Sequence, residues 1–261
     1  MRVEVEVMGM CKVIAIANQK GGVGKTTTAI NLGASLALEN KRILLIDLDQ
    51  QANATVSLGI AREDITISSY DLLTDPKVSK KAIMKTETFN FDIIPASNKL
   101  SEIESNLSRV EHKQHILSNK LKNFTKDYEY ILLDCPPSLG VVVDNALFAS
   151  DSVIIPVECG FYAYDALTQM VSKISGIQKE KPILIEGILL TMHDNRNILG
   201  YKIIERVKEI FPDKTFKTII TRSTHIQEAP IYGKSVVNYA FNSRGSKEYR
   251  ELAKEIVSNN I

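Results

Sequence analysis

The stretch NQKGGVGKTT, residues 18–27, lies between a β-branched run, KVIAIA (12–17), and a helical pattern, TTTAINLGASLALEN (26–40). A glycine-rich turn between a buried strand and a helix is the setting of a phosphate-binding loop. Gly21, Gly22 and Gly24, with Val23 among them, allow backbone N–H groups to turn inward around phosphate oxygens, because no glycine Cβ obstructs them. The helix opening near Lys25 adds its positive N-terminal end. Lys25 is placed to reach the β- and γ-phosphates, the Thr26 hydroxyl to coordinate Mg²⁺, and Thr27 to donate to the α-phosphate. The usual spacing fails by one position, however. Gln19 stands where the first glycine belongs, and a second lysine, Lys20, follows it.

The same grammar continues outward. RILLIDLD (42–49), FDIIPA (91–96), YILLDCPP (130–137), SVIIPVE (152–158), ILIEGILLTM (183–192) and FKTII (216–220) read as buried strands. Helical patterns fill 162–178, 198–211 and 245–257, and Asn40 suits the end of the first helix. Apolar strands separated by helices predict an α/β fold: a doubly wound, mostly parallel sheet flanked by helices, with ligands at the carboxyl ends of the strands. No linker-like stretch divides residues 1–261, which predicts a single domain. The opening MRVEVEVMGM is either an extra edge strand or an extension from an upstream start site.

Two strands end in acids. Asp134 closes YILLD and is placed to reach the metal's water shell, the Walker-B role. Asp47 and Asp49 stand at i and i+2, so they share a face if the strand persists. One would support the metal region and the other would position the attacking water.

Composition narrows the function classes. The chain has 261 residues, 44% hydrophobic, and a net charge of +1, so it is not a bulk polycation. Residues 181–261 carry 13 Lys+Arg against 9 Asp+Glu, a mildly basic C-terminal third. Three scattered cysteines without a CxxC pair suit a reducing cytosol. No apolar run is long enough to span a membrane, and no signal-like segment opens the chain. His112 and His115 have no further ligand at metal-site spacing apart from Glu111 and read as an exposed helical pair. Cys135 reads as an inert buried thiol.

KGGVGKTT is a deviant Walker A motif, with a lysine directly before the glycines. With DLDQQANAT (47–55), ILLDCPPSLG (131–140), GILLTMHDNR (187–196) and QEAPIYGK (227–234), it resembles the ParA/Soj chromosome- and plasmid-partitioning ATPases from about Cys11 onward. The resemblance implies ATP and Mg²⁺ as cofactors and a face-to-face homodimer around two ATP molecules. In it Lys20 would cross to the partner's phosphates, Asp49 would position hydrolytic water and Asp134 would be the Walker-B acid. It implies sequence-blind DNA binding by the ATP dimer, hydrolysis stimulated by a ParB-type centromere-binding protein, and a cytoplasmic, nucleoid-associated protein free of the membrane. Adenine contacts would fall near Met192 and residues 221–223.

For the DNA face, the resemblance implies one arginine after the GILLTM strand, matched by Arg196, and another within RSTHIQEAP. Here Arg222 opens that segment, but His225 occupies the inner position. A histidine of ordinary pKa, about 6.5, is mostly uncharged at neutral pH. Lys202, Lys234, Arg244, Lys247 and Arg250 are the candidates to compensate. The family also favours Pro and Gly where this chain has Gln50 and Ala52.

Three other readings compete. A MinD-like membrane-associated division ATPase needs an amphipathic C-terminal helix, which YRELAKEIVSNNI (249–261) suits poorly. An iron–sulfur carrier needs cysteines that bridge a dimer-held cluster. A regulator that binds nucleotide without hydrolysing it would not need Asp49.

Overall fold

The computed structural model describes residues 11–160 and 163–259. The opening segment expected as a strand or extension lies outside the described residues. Among the described residues, seven strands form one sheet in the order β3-β4-β2-β5-β1-β6-β7. They are β1 (Lys12–Ile16), β2 (Ile43–Asp47), β3 (Met84–Lys85), β4 (Phe91–Ile94), β5 (Tyr130–Asp134), β6 (Ser152–Glu158) and β7 (Leu184–Thr191). All pairings are parallel except the short β3, which runs antiparallel on the edge beside β4.

Period-two alternation gives the sheet two apolar faces. On β1, Val13 and Ala15 face one core while Ile14 and Ile16 face the other; on β5, Ile131 and Leu133 oppose Tyr130 and Leu132. The first core is closed by helices Val141–Ala149 and Ala163–Ile177, the second by α1 (Lys25–Leu38) and helix Arg244–Ser258. Leu32 and Leu36 of α1 are fully buried, and each contributes roughly 1.5–3 kcal/mol by leaving water. Truncating either to Ala would cost about 2–5 kcal/mol. α1 ends at Leu38, and Asn40 follows in the left-handed region at φ 58, the conformation expected of a residue that stops a helix.

Helix Arg244–Ser258 buries Tyr249, Leu252, Ala253 and Ile256 in the second core. The apolar face that a membrane-lying helix would need is therefore already covered. No helix among the described residues is long and apolar enough to cross a membrane.

Two sequence expectations fail locally. FKTII (216–220) is not a regular strand. It runs beside β7 through single contacts, with Phe216 N–H on Ile188 O (3.1 Å) and Ile220 N–H on Leu190 O (2.9 Å). Its apolar residues are buried by packing, and periodicity alone does not separate that from ladder pairing. His112 precedes and His115 ends a short 3-10 turn at Lys113–His115; His112 is left-handed at φ 52, and His115 packs edge-on against Phe148.

Candidate nucleotide site

Strands β1, β5 and β6 end at one rim of the sheet, and the loop 17–24 lies across it before α1 begins. Gly22 and Gly24 take φ 72 and φ 90, values that L side chains adopt only under strain. Gly24 is the N-cap of α1 and has no side-chain oxygen to occupy the first-turn N–H groups. Those donors face a ligand position in place of a cap.

Lys25 is buried, and its Nζ donates to the Lys20 carbonyl at 3.1 Å. Burial pulls its pKa below the ordinary lysine value, while the acids Asp134 and Asp49 pull it back up. Asp134 is fully buried, and neither carboxyl oxygen has a hydrogen-bond partner of acceptable geometry. Burial holds its pKa well above the carboxylate range, and the adjacent Asp47 pushes it further; the nearby Thr26 hydroxyl and Lys25 oppose this. An unpaired carboxylate buried beside an ammonium is costly unless a cation completes the site. That orphaned carboxylate fits a divalent metal, with Thr26 beside it.

Asp47 sits opposite Asp134 in the β2–β5 register. It was expected to support the metal, yet its oxygens are already engaged. Oδ1 accepts from Asp49 N–H (3.1 Å), and Oδ2 accepts from the Thr55 N–H (2.9 Å) and hydroxyl (2.7 Å). The expectation that Asp47 and Asp49 share a strand face is also corrected. β2 stops at Asp47 and the chain turns, so Asp49 lies in a loop where its Oδ1 accepts the Gln51 N–H (3.0 Å). Ala52 closes that loop at φ 53, which explains why a glycine suits the position; the left-handed backbone costs an alanine roughly 1–2 kcal/mol.

Lys20 turns away from its own loop. Its Nζ pairs with Glu158 Oε2 at 2.8 Å, and Arg222 approaches the other Glu158 oxygen at 3.5 Å. Asn18 fixes this corner: it donates to Pro156 O (2.7 Å) and accepts the Lys20 N–H (3.0 Å).

Beside the loop lies a cavity of about 350 Å³, lined by Gly24, Thr27, Met192, Thr221 and Pro230 among others. Met192 and residues 221–223, the expected adenine neighbours, line this one cavity together. Met192 takes φ 55, a strained value for a methionine, and its carbonyl accepts from Arg222 Nε (3.2 Å). A second, more open cavity of about 400 Å³ is lined by His193, Arg196, Arg222 and Arg244. All three arginines already hold acids. Arg196 is paired bidentately with Asp194 (3.1 and 3.0 Å), Arg222 with Glu158, and Arg244 with Glu248 (2.8 Å). Lys234 pairs with Glu87 at 3.3 Å, while Lys202 and Lys247 are exposed on their helices and do not line that cavity. His225 is exposed and lies near Tyr239, their ring centres 6.4 Å apart. A larger cavity of about 590 Å³, lined by Lys85, Phe89 and Tyr128, lies at the opposite end of the strands and, among the described residues, has no orphaned buried polar atom.

A family model described as an AAA domain matches residues 11–187. The chain is 46% identical over 252 residues to the sporulation initiation inhibitor protein Soj of Bacillus subtilis, covering 96% of this chain and 100% of Soj. It is 42% identical to the chromosome partitioning protein ParA of Caulobacter vibrioides, covering 95% of this chain and 94% of that one. The chain belongs to the ParA/Soj partitioning ATPases. Among solved structures, it is similar to cobyrinic acid a,c-diamide synthase of Mycobacterium smegmatis with bound ATP analogue and magnesium. There the TM-score is 0.84 and the identity 29%, with 95% of each chain covered.

Within this ParA/Soj ATPase, sequence reasoning missed Asn18, Thr55 and Glu158. Glu158 closes a buried apolar strand as Asp134 does, so the same rule would have flagged it. Thr55 leaves no signal, because its role depends on a contact eight residues back.

Proposed function

We propose that this chain is an Mg²⁺-ATP-dependent switch that pairs face to face when ATP is bound, binds DNA without sequence preference as that pair, and drives chromosome or plasmid segregation. The observation that carries the reading is the contact made by Lys20. Lys25 would serve the chain's own phosphates, while the Lys20 ammonium is held by Glu158 at the end of β6. A second lysine that its own chain's phosphates do not need could leave Glu158 to serve a neighbour's, which makes assembly depend on the γ-phosphate.

Within one chain, the loop N–H groups and Lys25 would hold the phosphates, and Thr26 and Asp134 the metal. The bound metal supplies charge neutralisation at the phosphates. Asp49, at the rim beside Asp134, would orient the attacking water. Met192 and Thr221 would flank the base.

The DNA face would be the cavity of Arg196, Arg222 and Arg244, extended by Lys202, Lys234 and Lys247. Pairing two chains doubles the phosphates contacted, and counterion release makes affinity climb steeply with that number. A near-neutral molecule can therefore bind DNA as a dimer and leave it as a monomer. A ParB-type partner would accelerate hydrolysis, in a cytoplasmic, nucleoid-associated cycle.

The deciding experiment measures particle size and DNA retention with ATP, with ADP and without nucleotide, over a salt series. An ATP-dependent dimer with salt-sensitive, sequence-blind DNA binding is expected. A chain that stays monomeric with ATP sinks the switch, and ATP-dependent vesicle binding in place of DNA binding would move it to the MinD-like reading.

A further inference from the structure

Two carboxylates lie side by side at the ends of β2 and β5, and their hydrogen-bond inventories are opposite. Asp134 has both oxygens unpartnered; Asp47, equally buried, has three donors on its two oxygens. We propose that Asp47 acts as a positioning residue, which clamps the loop carrying Asp49 through Thr55, and not as a support for the metal.

The clamp can be followed atom by atom. Asp47 Oδ1 takes the Asp49 N–H at the start of the loop, and Oδ2 takes both donors of Thr55 in the short helix Asn53–Ser57 that follows it. One carboxylate thus bridges from the start of the loop to the first turn of the helix that ends it. The Thr55 hydroxyl spends its proton on Asp47 and accepts the Ala96 N–H (3.0 Å), which ties the loop to the chain just beyond β4. The Asp47 carbonyl accepts from the Ser69 hydroxyl at 2.6 Å, a further tether at the same strand end. Every residue in this network is buried.

The loop needs such a clamp. It has no regular ladder, it bends through left-handed Ala52, and Asp49 must hold a fixed place over the phosphates to orient a water. Hydrogen bonds to a charged acceptor are about twice as strong as neutral ones, and three from two points on the loop fix both its ends. A carboxylate has about four lone-pair sites; three are spent here, whereas all those of Asp134 remain open. The division of labour follows: Asp134 faces the metal, and Asp47 faces the protein.

The effect of the clamp on turnover rests on Asp49 acting in hydrolysis, and the test separates the two. Thr55→Val removes the hydroxyl while keeping the shape, Thr55→Ser restores it, and Asp47→Asn disturbs the acceptor. Amide exchange at Ala96 and across 49–55 is measured alongside kcat, ATP affinity and the Mg²⁺ concentration that half-saturates nucleotide binding. Thr55→Val should speed exchange at Ala96 at least about tenfold and lower kcat comparably. ATP affinity and the Mg²⁺ requirement should stay within about twofold, and Thr55→Ser should recover both exchange and kcat. Asp47→Asn should do the same as Thr55→Val; should it fail to fold, the threonine pair carries the test. Wild-type exchange and kcat in Thr55→Val would overturn the clamp, as would a tenfold higher Mg²⁺ requirement in Asp47→Asn. Normal hydrolysis in Asp49→Ala would instead overturn the role of Asp49 and leave the exchange result standing.

Discussion

Lys20 Nζ stands 2.8 Å from Glu158 Oε2, so the lysine that sets this motif apart is tied, within its own chain, to the end of β6. Both side chains are partly exposed, 31% and 25%, and such a pair is worth about 0.5–1 kcal/mol after screening. Two of them must break for a pair of chains to exchange lysines. Glu158→Gln is therefore expected to strengthen ATP-driven dimerisation by about 5- to 30-fold, with ATP affinity of the single chain unchanged. Sedimentation over a protein concentration series checks it. Weaker dimerisation would mean that Glu158 belongs to the interface itself.

Lys25→Ala should abolish nucleotide binding. Lys25 is the buried cation nearest the phosphate loop, and its removal also leaves Asp134 without its nearest positive charge. The expected readout is the loss of any ATP-induced rise in Tm. A variant that keeps its ATP affinity would show the loop to be misassigned.

Asp134→Asn should stabilise the nucleotide-free chain and abolish its stabilisation by Mg²⁺-ATP. The sign follows from burial. Asp134 holds its proton more tightly in the folded chain than in the unfolded one, so the folded chain is favoured at low pH and loses that advantage as pH rises through the elevated pKa. Scanning calorimetry of the nucleotide-free protein should give a Tm that climbs as pH falls from the elevated pKa of Asp134 toward the ordinary carboxylate range in the wild type and changes less in Asp134→Asn. A tenfold difference in proton affinity between folded and unfolded chains corresponds to about 1.4 kcal/mol. Equal pH slopes in the two proteins would count against an uncompensated buried charge.

Arg196→Glu should lose DNA retention while keeping ATP-dependent dimerisation, because it places a second acid beside Asp194 in the open cavity. His225→Arg should act in the opposite direction. It adds an exposed charge at the position where the family resemblance expects one, and should steepen the salt dependence of binding by about one unit of log–log slope per added phosphate contact. Filter binding over a salt series reads both. Unchanged retention in Arg196→Glu would move the DNA face elsewhere.

Most of the sheet was legible because its strands are continuous apolar runs that end in polar residues, and burial on both faces allows no other pattern. FKTII carried the same pattern without forming a ladder, since burial against β7 asks the same of its side chains. β3 was invisible: two residues on an edge leave no period to detect. In the candidate site, the sequence pointed to Gly24, Lys25 and Asp134 because a phosphate or a metal would constrain residue type at fixed spacing, and the structure brings all three to one rim. Asp47 was readable as important but not as a clamp, since only the fold shows that Thr55 returns to it. The acids beside Arg196, Arg222 and Arg244 were also hidden. Asp194 and Glu248 are close in sequence to their arginines, but Glu158 reaches Arg222 from a distant strand end.

Those three internal ion pairs have a kinetic consequence. A surface whose cations carry their own counter-charges projects little field beyond the Debye length, about 8 Å at physiological salt. A lone chain passing a nucleic acid is then neither steered in from a distance nor held after a chance collision. On the proposed function, such a chain would move past nucleic acid at nearly its free diffusion rate, and retention would begin only where contact is close enough to exchange the carboxylates for phosphates.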